Sequence, residues 1–161
     1  MISPRKKLVL FLPLRGDPAR GEVYSADLLP LELLQIAGGP VAEGYEVVLV
    51  DATVDDDYER RVLEACDGAL LFASSCILGY HVWDGYRIAK AVRERFPDLP
   101  IVHGGWFPSV APELYFEAGV ADAVAIGQGE LTFLDVVRAV ESGVDVATVA
   151  GVGVRDGGAV V

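Results

Sequence analysis

Runs of apolar residues of strand length recur along the chain, separated by stretches in which apolar positions return every three or four residues. Lys7 to Leu14 (KLVLFLPL), Glu46 to Asp51 (EVVLVD), Gly68 to Ser74 (GALLFAS), Pro100 to His103 (PIVH) and Ala121 to Ile126 (ADAVAI) are near-continuous in apolar character. Continuous rather than alternating runs predict strands buried on both faces, as in a parallel sheet. Between them, Trp83 to Phe96 places Gly85, Ile88, Ala89, Val92 and Phe96 on one face and Lys90, Arg93 and Glu94 opposite, the pattern of an amphipathic helix. Leu131 to Ser142 repeats the spacing with Phe133, Val136, Val137 and Val140 and stops at Gly143. Shorter helices are predicted over Asp55 to Ala65 and over Pro112 to Ala118, where the proline suits a first turn. A helix from Pro30 to Glu43 contains Gly38-Gly39-Pro40, and the proline predicts a kink.

Strands alternating with helices predict an α/β fold: a doubly wound, flavodoxin-like or Rossmann-like sheet of five parallel strands flanked by helices. The last segment, VGVRDGGAVV, carries two β-prone runs around Asp156-Gly157-Gly158 and predicts a short C-terminal hairpin. The domain expected is 1–142, with 143–161 as a linker and hairpin. In such sheets ligands lie in the crevice at the carboxyl ends of the strands, so function is expected in the strand-to-helix loops.

Composition narrows the partners. Thirteen Lys and Arg against 24 Asp and Glu give a net charge of −11, and the largest basic cluster is Pro4-Arg5-Lys6-Lys7, so no positive footprint for nucleic acid exists. The longest uncharged stretch, Gly68 to Trp83, is broken by Gly, Ser and His and predicts no membrane span. The apolar run after MISPRKK is too short for a signal peptide, which makes the cytoplasm the expected compartment. Cys66 and Cys76 are isolated from other ligands and are expected as free thiols, with no metal site.

The loops then limit the chemistry. RGDPARGEVYSADLLP, after Leu14, is longer than usual for its place and contains neither a GxGxxG fingerprint nor a phosphate loop with its lysine, which disfavours flavin and nicotinamide enzymes. A response-regulator reading fails because Ser74-Ser75 stands where a phosphoacceptor aspartate would be, and Asp51 reads as a turn or capping residue. After the third strand, Ser74-Ser75-Cys76-Ile77 offers small hydroxyls, which can bond a ligand ring or simply turn the chain, and then leads to Tyr80 and His81. After the fourth, Gly104-Gly105-Trp106-Phe107-Pro108 has consecutive glycines that let a bulky ligand approach backbone. After the fifth, Gly127-Gln128-Gly129-Glu130 repeats the device, with Glu130 placed to cap the next helix.

Taken in order, the serine loop, the GG loop and the GxGE loop opening TFLDVV resemble the N-terminal cobalamin-binding domain of the radical S-adenosylmethionine enzymes. The resemblance spans nearly the whole chain and includes PLELLQIAGGPVAEGYEVVLVDA, GGWFPSVAPEL and the exit VAGVGVRDGG. It implies a corrin ring on the carboxyl ends of the strands and a nucleotide tail entering the sheet edge near Ser74, Ser75, Gly104, Gly105, Gly127 and Gly129. Leu14, Cys76, Ile77, Tyr80, His81, Trp106, Phe107, Pro108, Gln128 and Glu130 complete the cofactor-binding set it suggests. Whether the Trp106-Phe107 pair belongs to the tail pocket, the core or an interface stays open.

Two departures from that family matter. Relatives of the methionine-synthase type carry DxHxxG after the first strand, with a histidine ligating cobalt, whereas the loop after Leu14 has no histidine. A base-off cofactor without a histidine ligand is therefore the implied arrangement, with Tyr80 and His81 the nearby side chains by position and a helix-start role the ordinary one for His81. The CxxxCxxC motif for a [4Fe–4S] cluster is also absent, since only two cysteines exist. Cluster and S-adenosylmethionine would belong to a radical S-adenosylmethionine catalytic domain of the same parent chain, most simply a methyltransferase, with this chain not catalytic alone. The competing reading is a cofactor-free, flavodoxin-like docking or substrate-selecting domain.

Overall fold

The computed structural model describes residues 6–22, 29–157 and 159–161. Residues 4–5 of the basic cluster, 23–28 of the first long loop and Gly158 of the hairpin turn lie outside the described residues. Six strands form one sheet in the order β2-β1-β3-β4-β5-β6: β1 (Lys7–Leu12), β2 (Glu46–Asp51), β3 (Leu71–Ser75), β4 (Ile101–Gly104), β5 (Ala123–Ala125) and β6 (Val152–Gly153). The first five pair in parallel and β6 joins β5 antiparallel. The five predicted parallel strands are present, and the sixth is an addition: Val152-Gly153, read from sequence as part of the hairpin, instead borders the sheet. The predicted hairpin follows it as β7 (Arg155–Asp156) and β8 (Ala159–Val160).

Side chains alternate across each strand, so two cores form from one apolar run. Val9, Phe11, Phe72, Ile101 and Val124 face α2 (Tyr58–Cys66), α3 (Tyr80–Arg95) and α5 (Pro112–Glu117), meeting Val62, Ile88, Val92, Tyr115 and Phe116. Leu8, Leu10, Leu12, Leu71, Val102 and Ala123 face α1 (Leu31–Ala42) and α6 (Gly129–Ser142), meeting Leu33, Phe133, Val136 and Val137. Burial of both faces is what removes polar residues from these strands. Each fully buried large aliphatic or aromatic side chain contributes on the order of 1.5–3 kcal/mol.

Helix α1 runs unbroken through Pro40, which is itself buried two residues from the helix end. Its neighbour Gly39 explains the sequence there, because a Cβ at that position would come within 3.1 Å of Leu134 Cδ2 on α6. The glycine admits the two helices to close contact. Helix α3 starts at Tyr80 rather than Trp83, β3 runs from Leu71 to Ser75 rather than from Gly68, and Trp106-Phe107-Pro108, expected in a loop, forms the short helix α4 (Trp106–Val110). Backbone bonds from Val82 and Trp83 N–H to the Gly79 carbonyl extend α3 backward, and Gly79 is able to enter it at φ +61°.

Candidate functional site

The topological switch of the sheet falls between β1 and β3: the chain leaves β1 toward α1 on one face and leaves β3 toward α3 on the other. Loops diverging in this way open a crevice at the carboxyl edge. Next to it, between β3, β4, β5 and the first turns of α1 and α6, lies a cleft of about 200 Å³. Its walls include Ser74, Ser75, Gly104, Gly105, Gly127, Gln128, Gly129 and Glu130, together with Ala73, Ala125 and Phe133. Almost every lining residue from the sheet edge is Gly, Ala or Ser, so the space exists because side chains are missing.

Two glycine loops shape the cleft. Gly105 has φ +97°, and a Cβ there would lie 2.5 Å from the Cys76 carbonyl oxygen and 3.0 Å from Ser75 Oγ, so only glycine fits. The Cys76 N–H donates to the Gly104 carbonyl at 2.9 Å and the Phe107 N–H to the Cys76 carbonyl at 3.3 Å, stitching the exits of β3 and β4 together. Ser109 Oγ donates to the Gly105 carbonyl at 2.7 Å and accepts the Gly127 N–H at 3.0 Å, which joins the GG loop to the GxGE loop. Glu130 stands in the first turn of α6, where a carboxylate suits the helix dipole, but no side-chain capping bond forms; the helix is preceded by Gln128.

The other half of the sequence-derived set lies elsewhere. Cys76 turns into the core, its sulfur 3.8 Å from Ser74 Oγ and against Gly85, where a Cβ would meet it at 2.6 Å. Burial pushes its thiol up to about 11 and that of Cys66 up to about 12, and both are free, buried cysteines. Ile77 is exposed in the turn between β3 and α3. Tyr80 and His81 occupy the first turn of α3, Tyr80 stacked on Trp83 with centroids 5.5 Å apart. His81 is buried at the helix start; its Nδ1 accepts the Ile77 N–H at 3.1 Å, and burial holds it down to about 4, so it is neutral at pH 7. Trp106 is exposed, Pro108 is buried, and Phe107 packs edge-on to Tyr115 in the core. Leu14 borders a separate pocket with Arg15, Thr53 and Tyr58.

Several residues at the site escaped the sequence. Glu32, Gln35 and Ile36 reach the cleft from α1, at the i, i+3, i+4 spacing that could have marked them as one face. Arg15, at the start of the long loop, pairs with Glu32 at 3.3 Å. Asp84 sits fully buried in α3, and an acid beside Gly85 and Ile88 on the apolar face was the available signal. Asp51 behaves as read, accepting the Thr53 N–H at 2.8 Å and the Thr53 hydroxyl at 2.6 Å in a turn. Among the described residues, no cluster of His, Cys, Asp or Glu is arranged to hold a metal ion, and no helix is long and apolar enough to cross a membrane.

Known proteins share this pattern. The family model described as the B12 binding domain matches residues 19–137. The anaerobic magnesium-protoporphyrin IX monomethyl ester cyclase of Synechocystis is 32% identical over 144 residues, which cover 86% of this chain and 29% of the cyclase. An uncharacterized methyltransferase of Pyrococcus horikoshii is 27% identical over 158 residues, 96% of this chain and 34% of that protein. The chain thus spans about a third of the length of the curated relatives it matches. Among solved structures, the radical S-adenosylmethionine methyltransferase TsrM from Kitasatospora setae, with tryptophan and a SAM analogue bound, superposes with a TM-score of 0.79 at 21% identity, over 97% of this chain and 29% of TsrM. The cobalamin-dependent S-adenosylmethionine radical enzyme OxsB, with aqua-cobalamin and S-adenosylmethionine bound, gives a TM-score of 0.79 at 18% identity, over 98% of this chain and 22% of OxsB.

Proposed function

Because the chain belongs to the B12-binding domain family, we propose that it is the cobalamin-binding module of a radical S-adenosylmethionine enzyme and that it holds the cofactor base-off. The observation that carries this reading is the cleft built from Ser74, Ser75, Gly104, Gly105, Gly127 and Gly129 beside the switch point. At about 200 Å³ it is far too small for a corrin ring and suits a slender appendage entering edgewise, the nucleotide tail. The small lining residues fit that group, since any larger side chain would fill the space it needs.

The macrocycle would then rest on the carboxyl edge outside the cleft. Leu31, Leu78, Trp106, Ile126 and Leu131 are exposed along that edge, an apolar rim that suits contact with a ring and with further protein around it. A bound cobalamin supplies methyl carriage or radical chemistry at cobalt; this chain's residues bind it, orient it and exclude water from its tail. The loop after Leu14 contains no histidine, which supports the base-off arrangement without a histidine ligand. A catalytic domain in the same parent chain, carrying the [4Fe–4S] cluster and S-adenosylmethionine, would perform the reaction, as the greater length of the relatives suggests. The named relatives include a cyclase and a methyltransferase, and methyl transfer is the simpler assignment for a carrier of this kind.

The test is to mix the chain with hydroxocobalamin, desalt it and record the spectrum, in parallel with cobinamide, which lacks the nucleotide tail. Retention through the column requires a Kd of about 1 μM or tighter, near −8 kcal/mol. Retained cobalamin with a base-off spectrum and weaker retention of cobinamide is the expected result. Equal retention of both would remove the tail from the cleft, and loss of both would favour the cofactor-free docking domain.

A further inference from the structure

Asp84 lies in the second turn of α3 with no solvent exposure, and its two carboxylate oxygens serve different parts of the fold. One, Oδ2, accepts the backbone N–H of Leu14 at 2.9 Å. The other, Oδ1, accepts the Tyr58 hydroxyl from α2 at 3.0 Å and the Arg87 guanidinium at 3.2 and 3.0 Å. Arg87 also pairs with Glu59. One carboxylate therefore gathers the exit of β1, α2 and α3.

Stability alone is a poor reason for this arrangement. A buried ion pair seldom repays the desolvation of its charges, and apolar residues of similar volume commonly serve as well. The Oδ1 side could be replaced in that way, because Tyr58 and Arg87 are only part-buried and reach solvent or Glu59. The Oδ2 side is different. Leu14 lies beyond the last ladder position of β1, so its N–H has no strand partner, and Asp84 reaches it across the switch point from the helix that follows β3. The bond thus spans the crevice between the two diverging loops.

We propose that Asp84 is a positioning residue for the cofactor face: by holding the Leu14 N–H it fixes where the β1 exit ends and the long loop begins, and so the floor beneath a macrocycle lying on the carboxyl edge. It acts through Leu14 and does not touch the ligand. The inference rests on the cobalamin reading above and adds to it the residue that sets the height of that floor.

Two substitutions separate positioning from packing. Asp84→Asn can keep an amide oxygen on the Leu14 N–H while losing the charge, and the double change Asp84→Leu with Arg87→Met replaces the ion pair by apolar volume and removes the bond. Both are compared with the unaltered chain for folding by circular dichroism, for hydroxocobalamin affinity and spectrum, for the electron paramagnetic resonance of the reduced cobalt(II) form, and for hydrogen exchange at the Leu14 amide. The expected result is a double variant that folds, binds cobalamin at least tenfold more weakly with altered cobalt spectra, and exchanges the Leu14 amide at least a hundredfold faster. Asp84→Asn is expected within threefold of the unaltered chain in affinity, with its spectrum. Tyr58→Phe, which touches only Oδ1, is expected to match the unaltered chain. A folded double variant with unaltered affinity and spectrum would overturn the proposal, as would an Asn variant as impaired as the double. An unaltered chain that retains no cobalamin overturns the underlying reading and the role together, whereas an unaltered chain that binds it as tightly as a folded double variant with a faster-exchanging Leu14 amide leaves the reading standing and overturns the role alone.

Discussion

The hydroxyl of Ser109 accepts the N–H of Gly127 at 3.0 Å and so fixes the distance between the two glycine loops that wall the cleft. Ser109→Ala removes this link while the Gly105 carbonyl keeps the Ser109 N–H and the exposed Gly127 N–H turns to water, so it is expected to cost about 0.5–1.5 kcal/mol, the net worth of an ordinary hydrogen bond. Urea denaturation gives the stability change directly. Cobalamin retention should weaken further than stability alone accounts for, and Ser109→Thr, which keeps the hydroxyl, should recover most of both. A Thr variant no better than Ala would show that the bond does not set the cleft.

The paired glycines of the fourth loop separate folding from binding. At Gly105 a Cβ would lie 2.5 Å from the Cys76 carbonyl and the backbone has φ +97°, so Gly105→Ala combines a clash with backbone strain. A loss of more than about 2 kcal/mol is expected, by the cost of left-handed conformations and overpacking. At Gly104 the nearest atom to an added Cβ is Ala125 Cβ at 3.8 Å, ordinary contact, so Gly104→Ala should fold with nearly unchanged stability. The methyl group nevertheless enters the lining of the cleft. Cobalamin affinity should fall while that for cobinamide is unaffected; equal affinities for cobalamin in the Gly104→Ala and unaltered chains would place the tail elsewhere.

The fold was legible because doubly buried strands leave a mark that few other structures leave. KLVLFLPL could be read as a central strand because both its faces are covered, Val9 and Phe11 by α2 and α3, Leu8 and Leu10 by α1 and α6. Val152-Gly153 was not legible, since two residues at an antiparallel edge carry no periodicity. The site divided along the same line. Glycines that make space by lacking side chains are visible in a sequence, and Gly104, Gly105, Gly127 and Gly129 do line one cleft. Residues that act by reaching between elements are not, because Ser109 and Asp84 acquire their meaning only when loops distant in sequence meet: Asp84 and Leu14 are separated by 70 positions. That the chain turns Cys76 and His81 inward is likewise not visible from their neighbours in sequence.

Both thiols should be inert in the folded state. Burial, partly offset at Cys76 by the contact with Ser74 Oγ, raises Cys66 to about 12 and Cys76 to about 11, and each is almost without solvent contact. The thiolate is the reactive form, so modification by a disulfide reagent at pH 8 is expected only through opening of the fold. Two equivalents should react at once in strong urea and far more slowly without it, at a rate that follows stability across the Ser109 and Gly105 variants. Fast stoichiometric reaction of the native chain would mean that one thiol is reachable, and Cys76 beside the cleft would then return as a ligand contact.

Acid should weaken the fold through its two histidines. His103 is fully buried, its Nε2 bonded to the Val120 carbonyl at 3.0 Å and its ring 4.6 Å from that of Tyr115. Desolvation lowers both His103 and His81 from 6.5 to about 4. In the unfolded chain each regains its ordinary value, so between about pH 6.5 and 4 the unfolded state binds more protons than the native one. Their stabilisation is therefore fully present above pH 6.5 and is lost as the pH falls toward 4, by about 1.4 kcal/mol per pH unit for each histidine within that window. Urea midpoints measured at pH 7.5, 6 and 5 should fall over both intervals, and more steeply per pH unit over the last. His103→Gln keeps a donor for the Val120 carbonyl but does not titrate, so it is expected to cost stability at pH 7.5 and to flatten the dependence between pH 6 and 5 by about half, leaving the His81 share. A dependence as steep as in the unaltered chain would assign the acid sensitivity to the carboxylates instead, and the neutral, buried state of His103 would not be its source.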